Sequence, residues 1–101
     1  LETCGLLIDR NPGVKGLLWD VYQLTNCSDD PRLSYKVEAT DIGILVPTPE
    51  TFFDNCIVWH THPSGIIGPS RGDSDHLTEQ IKYLVMTIPT KEVVRYERIR
   101  W

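Results

Sequence analysis

Apolar and polar positions divide this chain into short runs of strand-like character separated by strong turn signals. Thr3 to Ile8 is apolar with Cys4 and Gly5 embedded in it, too short for a stable helix, and it stops at Asp9-Arg10-Asn11-Pro12-Gly13. That is the pattern of a strand and a tight turn. From Gly16 to Thr25, Leu17, Leu18, Trp19, Val21, Tyr22 and Leu24 predict a second strand, ended by Asn26-Cys27-Ser28-Asp29-Asp30-Pro31. Leu33, Tyr35 and Val37 alternate with Ser34, Lys36 and Glu38, the period of a half-buried strand over Leu33 to Ala39. The three runs together predict an antiparallel meander.

The middle of the chain is less periodic. Ile42, Ile44, Leu45 and Val46 fit a short strand or one helical turn before Pro47 and Pro49 interrupt them, and Thr51 to Asn55 fits one further helical turn. Cys56-Ile57-Val58-Trp59-His60 is a compact apolar run, expected as a central strand that delivers His60 at its carboxyl end. Ser70 and Asp73 have the spacing of a capping box, which predicts a helix running to about Leu84 with Leu77, Ile81 and Leu84 on one face. His76 falls on the exposed side of that helix. Tyr83 to Ile88 then turns toward strand composition before Pro89, and Glu92 to Trp101 predicts a closing strand through Val93, Arg95, Glu97 and Ile99.

Length and composition narrow the function classes. At 101 residues the chain 1–101 reads as a single domain with one core. A net charge of -4 and a mixed-sign C-terminal end, where Glu92 and Glu97 sit among Lys91, Arg95, Arg98 and Arg100, argue against a nucleic-acid partner. No apolar run reaches the roughly 20 residues of a membrane span, so no membrane role is expected. Cys4, Cys27 and Cys56 are odd in number and widely spaced, which reads as three buried, reduced thiols in a cytoplasmic protein.

The chemistry concentrates in His60-Thr61-His62-Pro63-Ser64-Gly65-Ile66-Ile67-Gly68-Pro69-Ser70-Arg71-Gly72-Asp73. In a strand of period two, His60 and His62 project to one face, so both imidazoles can reach the same ion. Asp73, brought round by a Gly/Pro-rich loop, supplies a third ligand of a type that suits Zn2+ with an open position. A capping box would produce the Ser70 and Asp73 spacing for structural reasons alone, and the two roles are compatible. Glu2 by itself is an ordinary exposed charge.

The stretch from Glu2 to Asp73 resembles the JAMM (MPN+, Mov34 and prokaryotic JAB-domain) zinc metalloproteases. Their signature is His-x-His, seven residues, Ser-x-x-Asp, and here the seven are Pro63 to Pro69. Glu2-Thr3-Cys4-Gly5 looks like the Glu-x-Cys-Gly strand that carries the glutamate of many members, whereas the loop after His62 looks like the RadC type. Thr61 stands where many members have serine. The resemblance implies an α/β, cytidine-deaminase-like fold, a mixed and mostly antiparallel sheet with flanking helices. It implies zinc on His60, His62 and Asp73, Glu2 as general acid and base, and Ser70 as an oxyanion donor. A helix ahead of the glutamate strand is also implied, and only Leu1 precedes Glu2, so the chain is expected to be truncated or processed there. The first strand is then expected to be covered by a partner domain or by a second copy in a homo-oligomer.

The expected reaction is hydrolysis of a peptide or isopeptide bond in a protein substrate, by a compact enzyme of prokaryotic or phage type. A ubiquitin-like or sulfur-carrier tail is a candidate substrate implied by the resemblance. The alternative of a different class is a catalytically idle MPN-type scaffold, against which the intact motif counts. A zinc deaminase would need His-x-Glu with Pro-Cys-x-x-Cys, and neither is present.

Overall fold

The computed structural model describes residues 2–9, 19–46, 48, 55–63, 67–70, 73 and 81–97. Five strands, β1 (Cys4–Asp9), β2 (Trp19–Leu24), β3 (Cys56–His62), β4 (Lys82–Thr87) and β5 (Glu92–Glu97), and one helix, α1 (Ala39–Leu45), are seen among them. The strands form one sheet in the order β2-β1-β3-β4-β5. Three of the four pairings are antiparallel and only β3 with β4 is parallel. The fold is therefore mixed α/β with a mostly antiparallel sheet.

Register explains the core. Leu6 pairs with Tyr22 on one side and Val58 on the other, Val58 with Tyr83, and Tyr83 with Tyr96, so one row of side chains crosses the whole sheet on a single face. Leu6, Ile8, Val46, Cys56, Val58 and Tyr83 form the buried cluster on that face, with Ile42, Leu45 and Tyr35 packed against it. Ile42 and Leu45 of α1, with the residue that caps it, Val46, pack toward the core, while Ile44 is 81% exposed. The opposite face of the sheet carries Trp59, whose indole lies over Gly5: a Cβ at Gly5 would come within 2.7 Å of Cζ2 of Trp59 and into the carbonyl oxygen of Tyr22. Glycine is required there by space.

Three expectations are corrected. Leu33 to Ala39 is no strand: Leu33 sits in a turn and is 75% exposed, and Ala39 already belongs to α1. Tyr35 and Val37 do alternate with exposed neighbours, but the backbone there is held by a side chain, since Lys36 N–H donates to Asn26 Oδ1 (3.0 Å) and Cys27 N–H to the Lys36 carbonyl (2.8 Å). Ile42 to Val46 is neither a strand nor a single turn, because the helix starts at Ala39 and Val46 N–H closes it on Ile42 (2.8 Å). The helix expected to reach Leu84 has given way by Lys82, where parallel pairing with β3 buries Tyr83, Val85 and Thr87 at period two. The expected helical positions 74–80, including His76, the turn after Asp9, residues 51–54 and residues 98–101 lie outside the described residues.

Candidate metal centre

Sheet topology assembles the site at the carboxyl end of β3. β1 runs antiparallel to β3 with Cys4 opposite His60, so the residues just ahead of β1 lie beside His62. The junction is fastened by Thr61, whose N–H donates to the Thr3 carbonyl (2.9 Å) and whose Oγ1 accepts from Thr3 N–H (3.0 Å) and meets Thr3 Oγ1 at 2.8 Å. Glu2 is clamped on its other side: its N–H donates to the Pro31 carbonyl (2.7 Å), and its carbonyl accepts from Asn26 Nδ2 (2.9 Å). The carboxylate expected as an exposed terminus unless it served a site is buried, only 6% exposed.

His60, His62 and Asp73 converge on one point. His60 Nε2 and His62 Nε2 are 3.2 Å apart, and each is 3.0 Å from the same oxygen, Asp73 Oδ2. Both histidines are buried, and with Glu2 the four ligand atoms all lie within 4.8 Å of one another. The loop that returns the chain uses Gly68 at φ 81, a conformation that favours glycine, and a Cβ added there would lie 3.7 Å from the Val94 side chain. It ends in the reciprocal pair foreseen as a capping box: Ser70 N–H donates to Asp73 Oδ2 (2.8 Å) and Asp73 N–H to Ser70 Oγ (3.2 Å). One carboxylate oxygen thus serves both the cap and the histidine cluster.

The donor set could hold a metal ion. Ligand atoms about 2.1 Å from a tetrahedral zinc lie about 3.4 Å from each other, and the edges of this triangle, 3.2, 3.0 and 3.0 Å, come within about 0.4 Å of that. Protons satisfy it poorly, because two ring nitrogens and a backbone N–H crowd one carboxylate oxygen while the ring nitrogens also face each other. Glu2 Oε1 is buried with no hydrogen-bond partner among the described residues, a costly arrangement for a charged oxygen.

The two carboxyl groups are pushed apart in acidity. Burial raises the Glu2 pKa, outweighing the lowering by His60 and His62, and Asp73 adds to the rise. Burial acts on Asp73 in the same sense but is overcome by the hydrogen bonds from His60 and the Ser70 backbone, which hold it down to about 2. Burial and hydrogen bonding thus set two neighbouring carboxyl groups on opposite sides of the usual range. Cys4, on the same face as Glu2, is fully buried and its thiol is pushed up to about 11, chiefly by burial and then by Cys27 and Glu2. Cys56 is buried as expected, but Cys27 is only partly so.

Some residues of the site escape a reading of the sequence. Tyr35 stacks on His60 with ring centres 4.2 Å apart, Tyr96 meets the same ring edge-on, and Tyr83 stacks on Tyr96. Burial raises the pKa of both Tyr35 and Tyr96. Tyr96 belongs to the row of β5 opposite Val93 and Arg95, and only the strand pairing shows that this row faces His60. Asn26 looks like one polar residue of a loop.

The chain finds no significant match among models of known protein families, curated proteins or solved structures. Among the described residues no helix is long and apolar enough to cross a membrane.

Proposed function

We propose that this protein is a zinc-dependent peptidase or isopeptidase of the JAMM/MPN kind, with the fold of that family and zinc held by His60, His62 and Asp73. The observation that carries the reading is the convergence of these three residues with Glu2 within 4.8 Å, assembled from three separate parts of the chain. Zinc in such a site supplies a Lewis acid that lowers the pKa of water toward neutrality.

Glu2 is the proton carrier. Its raised pKa brings it nearer the working range of a group that takes a proton from the attacking water and gives it to the departing amine. The bond broken is the carbonyl–nitrogen bond, and the products are a carboxylic acid and the amine. The Ser70 hydroxyl accepts from Asp73 N–H and keeps its own hydrogen to donate to the oxygen on which negative charge develops. A groove lined by Glu2, Gln23, Leu24, Asn26 and Pro31 shares Glu2 with the site. The substrate class that follows is a protein or peptide, with the flexible tail of a ubiquitin-like or sulfur-carrier protein as the specific candidate.

The test is hydrolysis of isopeptide-linked and linear peptide substrates by the purified zinc-loaded chain, with and without a chelator. Chelator-sensitive cleavage is expected. Zinc binding without cleavage of any such substrate would favour a binding module over a peptidase.

A further inference from the structure

We infer that Tyr96 is a positioning residue for the metal centre, its phenol oxygen accepting the proton of His60 Nδ1 so that the Nε2 lone pair is directed at His62 and Asp73. The inference rests on the zinc reading of the site and adds a residue that the His-x-His pattern does not include.

His60 is fully buried, so both ring nitrogens depend on protein partners. Nε2 faces Asp73 Oδ2 at 3.0 Å and His62 Nε2 at 3.2 Å, while Tyr96 Oη lies 3.3 Å from Nδ1 on the other edge of the ring. A neutral imidazole carries one proton, and a nitrogen that ligates a metal must be the bare one. The proton then belongs on Nδ1, where Tyr96 Oη accepts it. Geometry holds this arrangement in place. Tyr35 lies flat on the His60 ring at 18°, Tyr96 stands against it at 86°, and Tyr96 is itself stacked on Tyr83 at 5.3 Å and 17°. β5, β4 and the extended stretch before α1 each contribute one aromatic ring, and the three rings leave His60 little freedom to rotate. Partners of this kind fix the tautomer and orientation of a ligating histidine, and their loss costs about 10- to 100-fold in metal affinity.

The experiment measures zinc affinity of the purified chain by competition with a chelating dye, for wild type, Tyr96→Phe and Tyr35→Phe. Tyr96→Phe keeps the ring and its stack on Tyr83 but removes the oxygen. It is expected to bind zinc about tenfold or more weakly, with a zinc-free melting temperature close to wild type. Tyr35→Phe, which leaves the acceptor in place, is expected to lose less. Equal affinity of wild type and Tyr96→Phe overturns the inference alone, whereas a wild type that binds no zinc overturns the metal reading and the inference with it. Should Tyr96→Phe fail to fold, nitrogen-15 NMR of the zinc-loaded wild type decides instead: a proton on His60 Nδ1 is expected, and a proton on Nε2 refutes the assignment.

Discussion

Replacing Asn26 separates the placement of Glu2 from the holding of metal. The Asn26 side chain makes four hydrogen bonds, donating from Nδ2 to the carbonyls of Glu2 (2.9 Å) and Ser34 (3.0 Å) and accepting at Oδ1 from the N–H groups of Ser28 and Lys36 (3.0 Å each). Each is worth about 0.5–1.5 kcal/mol net. The bonds at Ser34 and Lys36 face solvent, and water can replace much of their value. Asn26→Ala is therefore expected to cost about 2 kcal/mol, most of it from the Glu2 and Ser28 contacts and the partners left behind. For a chain of this length that corresponds to a melting temperature lower by about 8–16 °C.

The functional consequence is selective. Glu2 loses one of its two backbone anchors, while His60 and His62 on β3 and Asp73 beyond the loop keep theirs. Turnover should fall by about tenfold or more with zinc affinity within about twofold of wild type, because misplacing a catalytic group by about 1 Å can cost 10²-fold. Circular dichroism melts of the zinc-free protein, a zinc titration and single-turnover hydrolysis below the melting range measure the three quantities. An unchanged melting temperature would refute the hydrogen-bond accounting, and parallel loss of zinc and turnover would refute the separation of roles.

Glu2→Gln should retain zinc and lose nearly all hydrolysis, since the amide keeps the shape and cannot accept a proton; loss of zinc by elemental analysis would instead make Glu2 a ligand. Ser70→Ala should cost about 1 kcal/mol in thermal melts from the lost cap, and about 10²-fold in turnover if the hydroxyl also stabilises the oxyanion; unchanged turnover would leave Ser70 a cap only. Gly5→Ala should destabilise by about 1–3 kcal/mol and shift tryptophan fluorescence, because the new methyl occupies the seat of the Trp59 indole; an unaltered spectrum and melt would contradict that packing.

Much of this site was legible because period two is a strong constraint. Once Cys56 to His60 is a strand, His60 and His62 must share a face, and the apolar run says that the strand is interior. The antiparallel return of Thr3 to Ile8 beside it then explains how Glu2 reaches a site more than fifty residues away in the chain. Alternation misled at Leu33 to Glu38, where a side chain of the Asn26 loop, invisible to any periodicity, replaces a neighbouring strand. At Lys82 to Leu84 a local helical spacing lost to the parallel ladder with β3, a contact that no window of sequence contains. Tyr35 and Tyr96 were hidden for the same reason, since each is only an aromatic residue until strand order and loop path bring it onto His60.

A metal centre built on His60, His62 and Asp73 is open to elemental analysis. Protein purified without added metal, then dialysed against zinc and freed of excess, should carry one zinc per chain in the wild type and far less than one in His62→Ala and Asp73→Ala, provided that both variants remain folded by circular dichroism. A wild type that stays metal-free, or a His62→Ala and Asp73→Ala pair that both hold zinc as wild type does, would contradict the account.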